Sequence, residues 1–183
     1  MHNERHKFLE LGGVVFLFLF ETILLIVVAF LIAFAIKLFI VQPFLIPSES
    51  MMPTLQPGDR VLVSKFFYKF NEPKPGDIVV FISPTDLNKD YIKRVTAVGG
   101  EKIEVKKGQV LINGEFIKES YAVKDGDLSD YGPVEIPKDS IFVMGDNRAN
   151  SGDSRIFGPI KKKSILGRNF AIYWPLDRIS LVN

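Results

Sequence analysis

Apolar positions along this chain follow two different rhythms. From Leu11 to Ile36, 26 consecutive residues carry one charge, Glu21, and the run continues past Lys37 as LFIVQPFLIP. A bilayer core about 30 Å thick takes about 20 apolar residues as a helix. Thr22 to Val41 supplies 20 residues with Lys37 as the only charge. The pattern therefore predicts a transmembrane anchor over 21–41, with the Lys37 stem snorkelling to one interface and Glu21 marking the other. Leu11–Phe20 is too short to span alone; it extends a tilted helix or lies along the surface, so 1–20 reads as a cytoplasmic tail and interfacial segment. A buried core helix and a cleaved signal peptide ending near Ala33-Phe34-Ala35 are the competing readings. The apolar run continues past any such cut, which disfavours the second. Arg5 and Lys7 precede the span, which favours a cytoplasmic N-terminus.

After residue 48 the rhythm shortens. Runs of β-branched and aromatic residues bounded by Gly, Pro and Asp predict strands at Arg60–Tyr68, Asp77–Ile82, Tyr91–Val98, Lys102–Lys106, Gln109–Asn113, Glu115–Lys118, Ser140–Met144 and Asn169–Trp174. Asn113-Gly114 is a strong hairpin signal and Lys107-Gly108 a weaker one. Residues 119–139 read as loop, and no long helical period appears. The fold class is mainly β: an all-β domain over 42–183, held just outside a membrane by one helix.

Composition narrows the chemistry. The chain has 183 residues, 23 basic and 21 acidic, for a net charge of +2, so nothing favours nucleic acid as a partner. With no cysteine, disulfides, zinc–thiolate sites and cysteine nucleophiles are excluded. The two histidines, His2 and His6, both precede the anchor, so the β domain has no histidine base or metal ligand.

Three segments carry candidate chemistry. In Phe44-Leu-Ile-Pro-Ser48-Glu-Ser50-Met-Met-Pro-Thr-Leu55, prolines bracket two serines and oppose a helix. A serine nucleophile needs a base, and without histidine the candidates are a carboxylate or a lysine of lowered pKa. Lys93 lies in the apolar run Asp90–Val98, where alternation sends Lys93 and Arg94 to opposite faces. If Tyr91, Lys93 and Val95 face inward, burial disfavours the ammonium and makes the amine a better base; the alternative is a solvated strand lysine. The third segment, Met144-Gly-Asp-Asn-Arg-Ala-Asn-Ser151-Gly-Asp-Ser-Arg155, reads as an ordered polar loop with Asp–Arg pairs. Alone it equally suits a metal loop, although it lacks EF-hand spacing.

Taken together, Glu21-Thr22, Gln42-Pro43-Phe44, Ser50-Met-Met-Pro-Thr-Leu55, Gly58-Asp59, Lys93-Arg94-Val95, GDNRANSGDSR and Tyr173-Trp174-Pro175-Leu176 resemble the bacterial type I signal peptidases over nearly the whole chain. The resemblance implies an antiparallel β catalytic domain, with a small capping β subdomain inserted at about 99–139, on the outer face of the cytoplasmic membrane. It implies Ser50 as nucleophile and Lys93 as general base. It implies an oxyanion hole from the Ser50 N–H and the Ser48 hydroxyl, and Ser151 orienting the lysine. Asp153–Arg155 and Asp146–Arg94 match supporting ion pairs. Phe44, Ile46, Met51, Leu55 and Ile92 match the walls of pockets for small substrate side chains. The implied partners are signal peptides of exported preproteins, membrane lipid and a nearby secretion translocon; no metal or other cofactor is expected.

Departures from the family are few. Glu49 stands between the serines where glycine is usual, and its carboxylate must point to solvent or it would hold Lys93 charged. Gly99-Gly100-Glu101 replaces a proline-containing turn, and the insertion is short. Ser64–Phe70 is expected to put aromatics on both faces of a strand, one of them suited to headgroups. Lys161–Lys163 reads as a solvated run and Asp125–Asp130 as a turn. Two alternatives remain: a specialised relative that processes a pilin or conjugation substrate, and a non-catalytic membrane-anchored binding module.

Overall fold

The computed structural model describes the backbone of residues 2–182 and the side chains of 16–34 and 40–182. The chain divides into two units, 1–40 and 41–183.

The first unit is one helix, α1 (His2–Phe39). Its stretch Phe16–Phe34 has a mean hydropathy of 2.9 and no buried residue, which fits a single-pass anchor by length and composition. Leu11–Phe20 continues the same helix. Glu21 lies inside this exposed apolar stretch, so it does not mark an end of the helix. The predicted span ran two residues too far, since Val41 already belongs to the first strand. The side chains of Arg5, Lys7 and Lys37, on which the expected orientation and snorkelling rest, lie outside the described residues.

The second unit contains twelve strands: β1 (Val41–Leu45), β2 (Arg60–Ser64), β3 (Ile78–Ile82), β4 (Asp90–Val98), β5 (Lys102–Lys106), β6 (Gln109–Ile112), β7 (Glu115–Phe116), β8 (Tyr131–Glu135), β9 (Ser140–Met144), β10 (Ile160–Lys161), β11 (Ile165–Trp174) and β12 (Ser180–Leu181). All pairings between these strands are antiparallel, and an isolated parallel bridge joins Val123 to Asn147. The large sheet runs β1-β2-β11-β3-β4-β9-β10 with β12 added on β11, and the small sheet runs β7-β6-β5-β8. Strands β3 and β9 read IVVFI and SIFVM and are buried along nearly their whole length, as expected of central strands covered on both faces. Alternate residues divide between two cores. Ile78, Val80 and Ile92 join Ile46, Met51, Leu55 and Val61 on one side, while Val79, Phe81 and Val95 join Ile141 and Val143 on the other. A third core, built on Ile103, Val105, Val110, Phe142 and Met144, fastens the small sheet to β9.

Two tight hairpins form where the sequence signalled them. Asn113 and Gly114 have φ of 53° and 90°, Lys107 and Gly108 have 47° and 73°, and each pair joins strands in two-residue register.

Four expectations need correction. The strand expected over Arg60–Tyr68 stops at Ser64, and Phe67–Phe70 is a short helix, α2. Its helical spacing stacks Phe66 on Phe70 at 6.1 Å instead of sending aromatics to two strand faces. The segment 119–139 is not all loop. Tyr131–Glu135 pairs with β5, and Gly132-Pro133 is tolerated because β8 is an edge strand. Strand β11 begins four residues before the predicted Asn169, since bulges and a close approach of Gly167 to the Ser64 carbonyl break the alternation there. Finally, the proline-bracketed serine segment does hold one helical turn, a 3₁₀ turn at Glu49–Met51.

Candidate active site

Strand β4 carries Lys93 into the interior at a point where the sheet opens. It pairs with β3 over Asp90–Arg94, but with β9 only from Arg94 onward. Lys93 is thus one residue short of the β4–β9 ladder, with Val79 opposite and Tyr91 and Val95 on its own face. The side chain is 5% exposed. Its amine lies 2.8 Å from the Ser50 hydroxyl and 2.9 Å from the Ile92 carbonyl, with the Tyr91 ring centre 5.5 Å away. Among the described residues no carboxylate forms an ion pair with it. Burial pulls its pKa down to about 8, against the opposing pull of the Asp153 and Asp146 charges. An amine so placed, once neutral, has the geometry to take a proton from a hydroxyl at this distance.

The 3₁₀ turn presents Ser50 because Met51, next in the chain, is fully buried and pins the turn to the core. The Ser48 hydroxyl is 3.3 Å from that of Ser50, and the Asn147 N–H donates to the Ser50 carbonyl at 3.1 Å. Glu49 points outward, where its carboxylate accepts from the Asn150 amide at 3.3 Å.

The loop after β9 closes the back of this site. Gly145 is pressed so closely on the Ser50 carbonyl and the Ser151 hydroxyl that a Cβ at this position would overlap both. Its N–H donates to Asp153 at 3.0 Å. Arg94 grips Asp146 with two bonds of 2.9 and 2.7 Å, and Thr54 donates to the same carboxylate at 2.5 Å. Arg155 grips Asp153 with two bonds of 2.9 Å. Burial raises the Asp153 pKa, but the Arg155 guanidinium and the Gly145 N–H outweigh it and hold the carboxyl below its ordinary range. The Lys93 amine makes no hydrogen bond to Ser151, whose buried hydroxyl helps to hold the Asp153 carboxyl low.

A cleft of about 670 Å³ opens over the pair, lined by Pro47–Ser50, Lys89–Lys93, Asn150 and Gly152. Of the five residues expected to wall it, only Ile92 does so. Ile46, Met51 and Leu55 are at most 2% exposed and belong to the core, and half-buried Phe44 packs against that core. They support the cleft from behind, because the turn at Ser50 directs its apolar neighbours inward. A second concavity of about 640 Å³, along Gln109 and Phe116–Glu119, holds neither Ser50 nor Lys93.

Several residues had no role in the sequence reading. Gly145 and Arg148 stood inside the polar loop without assignment. Glu119 and Asp127 lie in the segment expected as loop, yet each is 7% exposed and paired with an arginine, Glu119 with buried Arg148 and Asp127 with half-buried Arg155. Arg178 clamps Asp59 with bonds of 2.8 and 2.9 Å, tying the stretch after Ser50 to the C-terminal segment. Only the unlike charges hinted at these pairs, and their partners are 28 to 119 positions apart.

The chain is similar to several known proteins. A family model described as signal peptidase, peptidase S26, matches residues 19–174. A signal peptidase I of Leptolyngbya laminosa is 41% identical over 88% of this chain and 82% of its own length. A signal peptidase I P of Bacillus subtilis subsp. natto is 38% identical over 84% of this chain and 88% of its own. A solved signal peptidase I from Enterococcus faecalis V583, 30% identical, covers 54% of this chain and 97% of that one with a TM-score of 0.47. The class is therefore that of a peptidase, a hydrolase of the serine endopeptidase kind. More narrowly, the chain belongs to the signal peptidase S26 family.

Proposed function

We propose that this protein cleaves the signal peptides of exported preproteins, with Ser50 as nucleophile and Lys93 as general base. The observation that carries the reading is the 2.8 Å contact between the Ser50 hydroxyl and a buried amine whose pKa is near 8, at the floor of an open cleft. The Ser50 Oγ attacks the carbonyl carbon of the scissile bond while Lys93 takes its proton. The Ser50 N–H and the Ser48 hydroxyl stabilise the oxyanion. As the bond breaks, Lys93 passes its proton to the leaving amine. The neutral Lys93 amine then takes a proton from a water that attacks the acyl carbon, and returns it to Ser50 Oγ as the acyl–oxygen bond breaks. Ser151 is assigned the role of orienting Lys93 that the resemblance implies. Asp146–Arg94 and Asp153–Arg155 hold the loop and keep both carboxylates occupied with guanidinium groups.

The pocket for the residue before the cut is the part of the cleft beside Ile92 and Pro47, whose apolar side chains reject bulk by overpacking and charge by desolvation. Residues 16–39 form the membrane anchor, preceded by a cytoplasmic tail, and 42–183 stand on the outer face with the small sheet as a cap over about 99–139. Membrane lipid and a neighbouring translocon complete the setting. The test incubates the full chain in detergent with a preprotein and locates the cut by mass. Cleavage after a small residue at the end of the signal peptide, absent in Ser50→Ala, supports the reading. Persistence of the same cut in Ser50→Ala overturns it.

A further inference from the structure

Three arginines behind Ser50 each meet a residue from one short stretch of the inserted segment. Arg148 is 2% exposed and grips Glu119 with bonds of 2.8 and 2.6 Å. Arg155 reaches Asp127 at 2.9 Å and Ser129 at 3.0 Å. The Arg94 guanidinium lies 4.1 Å from the centre of the Tyr121 ring, and the Tyr121 hydroxyl donates to Glu119 at 3.2 Å. Between these contacts the backbones join. The Val123 N–H donates to the Asp146 carbonyl at 2.8 Å, and the Arg148 N–H to the Val123 carbonyl at 2.9 Å.

We propose that Glu119 and Asp127 are positioning residues for peptide cleavage: they clasp Arg148 and Arg155 so that the loop carrying Gly145 stays pressed against Ser50. The inference rests on the catalytic reading of Ser50 and Lys93 given above. The connection is short. Arg148 Nε donates to the Gly145 carbonyl at 2.9 Å, and Gly145 abuts the Ser50 carbonyl. Arg155 holds Asp153, which accepts the Gly145 N–H at 3.0 Å. Both polar groups of the Gly145 peptide region are therefore set by arginines whose outer contacts belong to the inserted segment. Burial would raise the Glu119 carboxyl, but Arg148 and then Lys124 outweigh it and keep the carboxyl ionised. That ionised carboxylate is what a bidentate guanidinium requires. A glutamine here keeps the volume but turns an amide donor toward an Arg148 N–H. The guanidinium must shift, and its Nε leaves the Gly145 carbonyl.

The experiment measures kcat and KM on a preprotein for the full chain in detergent, comparing wild type, Glu119→Gln, Asp127→Asn and Asp130→Asn. Asp130 lies in the same stretch but caps the Lys107 N–H at 2.8 Å and forms no ion pair with Arg148 or Arg155. Glu119→Gln and Asp127→Asn should each lower kcat about tenfold or more while KM stays within about twofold, since a small misplacement of reacting groups slows chemistry more than binding. Asp130→Asn should leave kcat unchanged. If Glu119→Gln does not fold, Asp127→Asn and Ser129→Ala test the second arm of the clasp, with the milder Ser129→Ala expected to lower kcat less. Wild-type kcat in the folded Glu119→Gln and Asp127→Asn variants, or an equal loss in Asp130→Asn, overturns the inference. If the wild type itself cuts no preprotein, the catalytic reading has failed instead, so the two failures are distinguishable.

Discussion

The Lys93 amine lies 2.8 Å from the Ser50 hydroxyl although the two residues are 43 positions apart and belong to different elements. A strand supplies one and a 3₁₀ turn the other, and each is fixed by apolar neighbours. Val79 packs opposite Lys93, and Met51 anchors the turn. The amine is kept from carboxylates because Asp146 and Asp153 are engaged by Arg94 and Arg155 while Glu49 points outward to Asn150. Substituting either member of the pair should therefore remove activity without unfolding the domain. Ser50→Ala and Lys93→Met should each reduce kcat by several orders of magnitude, and the double variant should lose no more than either alone, since the two act as a unit. Near wild-type turnover in Lys93→Met would show that the base lies elsewhere.

The second expectation concerns pH. A base works only when deprotonated, and burial brings the Lys93 amine to about 8. The logarithm of kcat/KM should climb with unit slope as pH rises and level off above a midpoint near 8. A midpoint near 6.5, the ordinary histidine value, would need a group that the β domain does not contain.

The same burial bears on stability with a definite sign. The amine has a lower pKa in the folded chain than its ordinary 10.5, so the folded state binds the proton less tightly. Lys93 therefore opposes folding fully below about pH 8, and the opposition fades as pH rises toward 10.5. The size is about 3 kcal/mol at neutral pH, offset by about 1 kcal/mol from its hydrogen bonds. Lys93→Met should raise the melting temperature by a few degrees at pH 6, and the gain should shrink by pH 10. A lower melting temperature at pH 6 would contradict this account.

Gly145 offers a steric test. A Cβ there would overlap the Ser50 carbonyl and the Ser151 hydroxyl, and the first of these is backbone that cannot rotate away. Gly145→Ala should lower kcat about a hundredfold through displacement of Ser50. Gly152→Ala is the control, since a Cβ there meets nothing within 4 Å. Equal activity in the two variants would mean that the loop is free to move off the nucleophile.

Local pattern made much of this legible before any coordinates. Alternation and β-branched runs marked β3, β4, β5 and β9 closely, because those strands are continuous and unbroken by glycine or proline. It failed at β8, where Gly132-Pro133 resembles a turn until an edge position makes it tolerable. It failed also at β11, whose bulges break the period. In the site, the absence of histidine and a lysine in an apolar strand made Ser50 and Lys93 candidates, and the resemblance of the three segments together to the signal peptidases singled them out. Glu119 and Asp127 did not stand out, since a carboxylate among Ser, Lys and Gly resembles solvated loop. What makes them buried is an arginine brought close only by tertiary folding.

The lining of the cleft supplies the last prediction, which separates a wall from its support. Met51 is wholly buried, so its side chain offers nothing for a substrate to touch, whereas Ile92 is 9% exposed and faces the cleft. Truncating Met51 to alanine should leave a void in the core and cost about 2–5 kcal/mol of stability, with little change in which substrates are cut. Truncating Ile92 to alanine should enlarge the pocket by about three carbons. A substrate with valine in place of alanine before the cut should then gain about tenfold relative to the alanine substrate, the range that a methylene or two is worth in an apolar pocket. The measurement is kcat/KM for the paired substrates in wild type, Met51→Ala and Ile92→Ala, with melting temperatures alongside. A shifted valine-to-alanine ratio in Met51→Ala together with an unshifted one in Ile92→Ala would reverse the assignment and put the recognition surface on the Met51 side of the turn.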